Sequence, residues 1–224
     1  NRILTDQVSD ILFCPTHTAI KNLQAEGFDK KRVKIFNVGD VMQDSSLHFG
    51  KYAKEIEDLS HIIKTGFILA TLHRAENTDD FERLKNIINA LNYIHQNILP
   101  VVLPIHPRTK KTIKNLNLDV HVTMIEPVGY LEMLWLLKNS SLVLTDSGGV
   151  QKEAFFFRKP CVTMRDQTEW VELIEQGVNV LAGADVELII QSTKRMLGKE
   201  IQDQTNLYGG GQAANTIVNI LESN

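Results

Sequence analysis

Four short polar clusters in the chain each follow directly on an apolar run. His73, Arg74, Glu76 and Asn77 come after the run at 67–72, and His106 and Arg108 after 101–105. Asp146, Ser147, Gly148 and Gly149 come after 141–145, and the segment 165–169, which begins at Arg165 and ends at Glu169, after 161–164. Ligands of an open parallel sheet bind beyond the carboxyl ends of its strands, so the four clusters converge on one rim. The turn Ser147-Gly148-Gly149 has the sharpest physical content. It leaves a buried strand and opens a helix, so the free amides of the first helical turn and the helix dipole face outward and suit a phosphate. Two glycines remove the Cβ atoms that would keep a diphosphate from the backbone, and Ser147 adds a hydroxyl donor. Glu153, one turn further on, is placed to accept hydrogen bonds from ribose hydroxyls. The alternative is that Gly148-Gly149 only makes a tight turn. The spacing is neither a Walker P-loop nor a GxGxxG fingerprint, which disfavours ATPase and ordinary dinucleotide sites.

His73-Arg74 offers a cation over a diphosphate and an imidazole for proton transfer, or else two structural residues at a strand end. His106 and Arg108 leave the same two alternatives open. Trp135 and the phenylalanines at 155–157 fall in helical patterns as core or interface residues. Cys161 begins a buried strand, where its thiol is expected to be inert.

These clusters need a framework, and the chain alternates short β-rich runs with helical patterns. The pattern predicts strands at 11–15, 34–38, 67–72, 101–105, 120–125, 141–145, 161–164 and 178–181. Thr16 is placed to cap a helix reaching Gly27, and a longer helical stretch carries Ile56, Leu59 and Ile63. The clearest helix puts Phe81, Leu84, Ile87, Ile88, Leu91 and Ile94 on one 3.6-period face. Further helices are expected at 130–137, from Gly149 through Phe157, near 169–176 and at 186–196. After a break at Tyr208-Gly209-Gly210-Gly211, a last amphipathic helix carries Ile217, Val218 and Leu221. Strand, helix, strand, repeated about six times, means an α/β fold with a doubly wound parallel sheet.

The chain has 224 residues, 43% of them apolar and 23% charged, which is ordinary globular composition. Lys and Arg number 24 against 27 Asp and Glu, a formal net charge of −3 that argues against nucleic acid or an anionic membrane as partner. The run Lys30-Lys31-Arg32 reads as a solvated turn. Two distant cysteines, Cys14 and Cys161, give no disulfide framework and no zinc motif, so no metal or cofactor is expected. No apolar run nears the roughly 18–20 residues of a membrane span, and a cytoplasmic location is expected. Residue 1 is Asn, and Ile3, Leu4, Val8, Ile11 and Leu12 read as the end of an element already under way, so upstream sequence is expected.

Ordered motifs make the chain familiar. Thr71-Leu72-His73-Arg74-Ala75-Glu76-Asn77, Pro104-Ile105-His106-Pro107-Arg108 and Thr145-Asp146-Ser147-Gly148-Gly149-Val150-Gln151-Lys152-Glu153-Ala154 resemble the non-hydrolysing UDP-N-acetylglucosamine 2-epimerases. So do Met164-Arg165-Asp166-Gln167-Thr168-Glu169 and Tyr208-Gly209-Gly210-Gly211-Gln212-Ala213. The resemblance covers essentially the whole chain.

It implies a Rossmann-like domain, the C-terminal half of a GT-B-type two-domain architecture. Residues 1–37 would be a remnant of the N-terminal domain, 38–207 the UDP-binding domain and 208–224 a crossover helix. It implies UDP-N-acetylglucosamine as the substrate, interconverted with UDP-N-acetylmannosamine by elimination and re-addition of UDP, and a homodimer for the full-length protein. Carried over by position, Ser147, Gly148 and Gly149 match the diphosphate segment, Glu153 the ribose ligand and His73, beside Arg74, the cleft histidine. His106, with Arg108, matches a histidine near a second, regulatory UDP-sugar. Met133 stands where many members have Phe near the base, and Trp170 where the best-known members carry Arg. The Trp form is also similar to relatives acting on UDP-2,3-diacetamido uronates. The family's catalytic carboxylates lie in the N-terminal domain, so this chain alone is expected to be inactive. A GT-B glycosyltransferase half and a non-catalytic UDP-sugar-binding module are the other readings, and the pairing of His73–Asn77 with Asp146–Gly149 favours the epimerase.

Overall fold

A computed structural model describes residues 2–59, 62, 64–203 and 205–223. By their contacts they form two units, residues 1–51 with 203–224 and residues 52–202. Segments 38–51 and 203–207, which the resemblance groups with the UDP-binding domain, thus pack with the first unit.

The first unit opens with α1 (Arg2–Val8), a separate short helix with none of its residues buried. Ile3, Leu4 and Val8 are exposed on it rather than continuing into the strand that follows. β1 (Ile11–Cys14) and β2 (Lys34–Asn37) pair in parallel around α2 (His17–Ala25). Thr16 caps α2 as its position predicts, Oγ1 accepting from Ala19 N at 3.2 Å. Leu12, Cys14, Leu23 and Phe28 close a small core. Next comes α3 (Val41–Phe49), capped by the Asp40 carboxylate, which accepts from Met42 N at 2.8 Å. The hydrophobic pattern gives no sign of α3 because its buried residues are Gln43 and Ser46, while Val41 and Phe49 face solvent. The helical stretch expected around Ile56 and Leu59 is a 3-10 turn at Glu57–Leu59, and Ile63 lies outside the described residues.

The second unit carries β3 (Ile68–Thr71), α4 (Ala75–Thr78), α5 (Phe81–Asn97), β4 (Val101–Pro104), α6 (Pro107–Asn115) and β5 (Thr123–Ile125). It continues with α7 (Tyr130–Asn139), β6 (Leu142–Thr145), α8 (Gly148–Phe156), β7 (Cys161–Thr163), α9 (Val171–Glu175), β8 (Asn179–Leu181) and α10 (Val186–Met196). The chain then returns to the first unit with α11 (Ala213–Glu222), whose first amides, Ala213 N and Ala214 N, donate to the Asp44 carboxylate at 3.1 and 2.7 Å. Among the described residues no helix is long and apolar enough to cross a membrane.

Six strands of the second unit form one sheet in the order β5-β4-β3-β6-β7-β8, with every pairing parallel. Both faces are covered, which is why its strands read as unbroken apolar runs. Ile68 and Ala70 face a core built with Leu84, Ile87, Leu91 and Ile94 of α5. Leu69 faces the other core, with Leu134 and Leu137 of α7 and Ala154 of α8. Burying each such side chain contributes roughly 1.5–3 kcal/mol before the cost of ordering the chain. Phe81 is the one residue of the expected α5 stripe that is exposed, standing at the first position of that helix. α6 carries little apolar pattern, since only Thr109 and Ile113 are buried, but Pro107 at its first position is the sign of its start. The strand order reverses between β3 and β6, and in sheets of this kind the ligand crevice lies beyond the carboxyl ends of the strands at such a point.

Candidate functional site

Asp146, directly after β6, organises that crevice. Its side chain is wholly buried and spans the gap to the segment after β3. It accepts from His73 N at 3.0 Å and Arg74 N at 2.8 Å, and from Asn77 Nδ2 at 3.4 Å. The His73 ring is half exposed, with Nδ1 3.3 Å from Asp146 Oδ1 and Nε2 on the far side of the ring. A pinned imidazole beside a carboxylate is oriented for proton transfer. One layer deeper, the hydroxyls of Thr71 and Thr145 meet at 2.5 Å and join the ends of the two strands.

Thr145 Oγ1 also accepts from Ser147 N at 2.9 Å, which fixes the turn into α8. Ser147 is the helix cap, its Oγ accepting from Val150 N at 3.4 Å. The first helical bond runs from Gln151 N to Ser147 O, so the amides of Gly148 and Gly149 have no helical acceptor. They face the crevice at the positive end of the helix. Where a Cβ on Gly148 would stand, Arg74 Nη2 lies 3.6 Å away, Glu169 Oε2 3.5 Å and Trp170 Nε1 3.5 Å. The two segments that the sequence separates by more than 70 residues therefore meet at one helix terminus.

Arg165, after β7, is almost fully buried and holds two carboxylates. Nε donates to Glu76 at 2.8 Å and Nη1 to Glu169 at 3.0 Å. Burial works against its charge, but Glu169 and Glu76 more than offset this and raise its pKa. Trp170 turns its indole onto α8, with Nε1 donating to Gly148 O at 2.8 Å and Lys152 Nζ standing 4.2 Å over the ring.

The remaining expected site residues are placed separately. His106 is the cap of α6, its Nδ1 accepting from Arg108 N at 3.2 Å, and Arg108 pairs with Asp79 at 2.7 Å. Both stand at the end of β4, the next strand to β3. Met133, on α7, packs against the core that α7 and α8 form with one face of the sheet. Glu153 is buried on α8, one helical turn beyond Gly149. Asp146 and Arg165 are the organising residues that spacing passes over as mere strand-end polar groups.

Both cysteines are buried. Cys161 is buried and its thiol pushed up to about 12, while burial also raises Cys14, with Asp6 adding to it. Native chain at pH 8 is expected to give no fast reaction with Ellman's reagent, and both thiols are expected to react once unfolded. A fast native phase of one thiol per chain would contradict this placement.

A doubly wound parallel sheet with a helix terminus at its switch point defines a Rossmann-like class of α/β domain. Within that class the chain belongs to the UDP-N-acetylglucosamine 2-epimerase family, whose sequence profile matches residues 1–222. The chain is 64% identical over 221 residues to the UDP-2,3-diacetamido-2,3-dideoxy-D-glucuronate 2-epimerase of Pseudomonas aeruginosa, covering 99% of this chain and 62% of that protein. It is 43% identical over 233 residues to the UDP-N-acetylglucosamine 2-epimerase of Methanocaldococcus jannaschii, covering 99% of this chain and 63% of that protein. The crystal structure of the M. jannaschii UDP-GlcNAc 2-epimerase in complex with UDP-GlcNAc and UDP matches with a TM-score of 0.85 at 42% identity, over 100% of this chain and 64% of that one. The neighbours are GT-B-type epimerases, and this chain spans 62–64% of the length of these three.

Proposed function

We propose that this chain is the nucleotide-binding part of a cytoplasmic UDP-sugar 2-epimerase. The diphosphate sits on the amides of Gly148 and Gly149 and the Ser147 hydroxyl, with Arg74 above it and Glu153 on the ribose. Leaving-group charge that builds on the diphosphate as C1–O breaks is stabilised by that helix terminus and by Arg74. His73, oriented by Asp146, is the proton-carrying group nearest the phosphates. The carboxylates that move the C2 proton lie in the part of the relatives that this chain does not cover, so the chain alone is inactive. It works joined to that part, in a homodimer. The observation that carries this reading is the carboxylate of Asp146, which brings His73 and Arg74 to the start of α8. The sugar is a UDP-2,3-diacetamido uronate, favoured by the 64% identity to the P. aeruginosa enzyme. UDP-GlcNAc is the second reading, supported by 43% identity to the M. jannaschii enzyme.

Calorimetric titration with UDP, against ADP and GDP, tests the site. Selective UDP binding is expected, and its loss in the double variant Ser147→Ala/Gly149→Val. Equal binding of all three nucleotides, or UDP binding that survives the double variant, would sink the proposal.

A further inference from the structure

Resting on the nucleotide site proposed above, we infer that Glu169 is an internal counter-anion of that site. Its carboxylate holds the ground over Gly148 in the free chain and must swing away when a diphosphate binds. Three observations carry this. Glu169 Oε2 lies 3.5 Å from the point where a Cβ on Gly148 would stand, on the same spot that Arg74 Nη2 borders at 3.6 Å. The carboxylate is bonded to Arg165 Nη1 at 3.0 Å, so it engages one arginine of the crevice and lies beside the other. Its two neighbours in the chain are tied to α8: Thr168 Oγ1 donates to Gln151 Oε1 at 2.7 Å, and Trp170 Nε1 to Gly148 O at 2.8 Å. The backbone at 168–170 is therefore held in place, whereas the Glu169 side chain is half exposed and able to change rotamer.

The charge is present at neutral pH. Burial pushes the Glu169 carboxyl up, but its own backbone amide and the guanidinium groups of Arg165 and Arg74 hold it below the usual carboxylate range. An ionised carboxylate near a helix N-terminus answers the same dipole that a phosphate would. It also holds Arg165 in an ion pair and stands beside Arg74, and it repels an incoming diphosphate. Departure of Glu169 frees Arg165 Nη1 and exposes Arg74 to the phosphates. The device sets the affinity for the charged part of the nucleotide and leaves the nucleoside part untouched.

Titration of the 224-residue chain and its Glu169→Gln variant with UDP and with uridine tests the inference. Gln keeps the size of the side chain and a carbonyl for Arg165 but removes the charge. UDP is expected to bind the variant more tightly, on the order of tenfold for a like charge removed at close range, with uridine affinity unchanged. Glu169→Ala, which also removes the reach, is expected to tighten UDP binding in the same direction. Binding of UDP to the variant where the wild type shows none would support the inference equally. UDP affinity that stays the same or falls in both variants, or uridine affinity that rises as much as that of UDP, overturns it while the nucleotide site stands. No UDP binding to any of the three chains overturns the nucleotide site and this inference together.

Discussion

Asp146→Ala is expected to lower the stability of the chain by roughly 2–4 kcal/mol, because it strips the acceptor from two backbone amides and a buried Asn at once. The carboxylate is wholly buried, and His73 N and Arg74 N end at it from across the switch point. Water reaches His73 and Arg74 more easily than it reaches Asp146, which keeps the figure below the full sum of three lost bonds. For a chain of this size the loss corresponds to a fall of about 5–15 °C in Tm. Asp146→Asn is the informative comparison. With its oxygen in the place of Oδ2 it still accepts from Arg74 N, and the amide replaces only Oδ1, whose bond to His73 N is the longer at 3.2 Å. Its loss is expected to be about half that of Ala or less, at roughly 1 kcal/mol per bond. UDP binding is expected to weaken in the Ala variant, since Arg74 is no longer held over Gly148, and to change less in the Asn variant, which keeps the bond from Arg74 N. An Ala variant with unchanged Tm and unchanged UDP affinity would remove Asp146 from its organising role.

That role also shows where sequence reasoning stops. The strand ends that carry the site were legible because both faces of the sheet are buried, so β3 and β6 appear as apolar runs with polar residues directly after them. The glycines that open α8 were legible for the same local reason, whereas Ser147 read as a donor to a ligand and not as the cap of the helix. The two shortest bonds to Asp146 were not legible, for they come from backbone amides more than 70 residues away, and a backbone amide leaves no trace in residue type. Arg165 is a similar case: its spacing marks a strand end, but that it holds Glu76 and Glu169 together depends on the β3–β6 and β6–β7 pairings. Trp170 was legible as a site residue by resemblance only, and its hydrogen bond to Gly148 O shows the indole bracing the start of α8. α3 escaped because a helix that buries Gln and Ser has no apolar stripe to find.

Gly39→Ala is expected to be the most damaging single methyl in the chain. A Cβ there would stand 2.5 Å from Tyr208 O and 2.9 Å from the α-carbon of Gly209, both backbone atoms, and φ is +87°. No side-chain rotation relieves the clash, so the two segments must part. Parting them breaks the bond from Asp40 N to Tyr208 O at 2.9 Å and disturbs Asp40, whose carboxylate caps α3. It also opens the fully buried ring of Tyr208 to water. Positive φ alone costs an alanine about 1–2 kcal/mol. Separation of the segments adds a lost hydrogen bond and part of an aromatic burial, for a total of roughly 3–5 kcal/mol. Gly27→Ala isolates the conformational part. Gly27 has nearly the same φ, +84°, in the same unit, yet a Cβ there meets nothing within 4 Å. The two variants share the conformational penalty and differ only in the close approach. Thermal unfolding, with hydrogen exchange read at the amides of α3 and α11, is expected to show a modest uniform loss for Gly27→Ala and early opening of both helices for Gly39→Ala. Equal losses in the two variants would mean that the contact of Gly39 with Tyr208 and Gly209 holds nothing together, and that the three glycines after Tyr208 serve only as a turn.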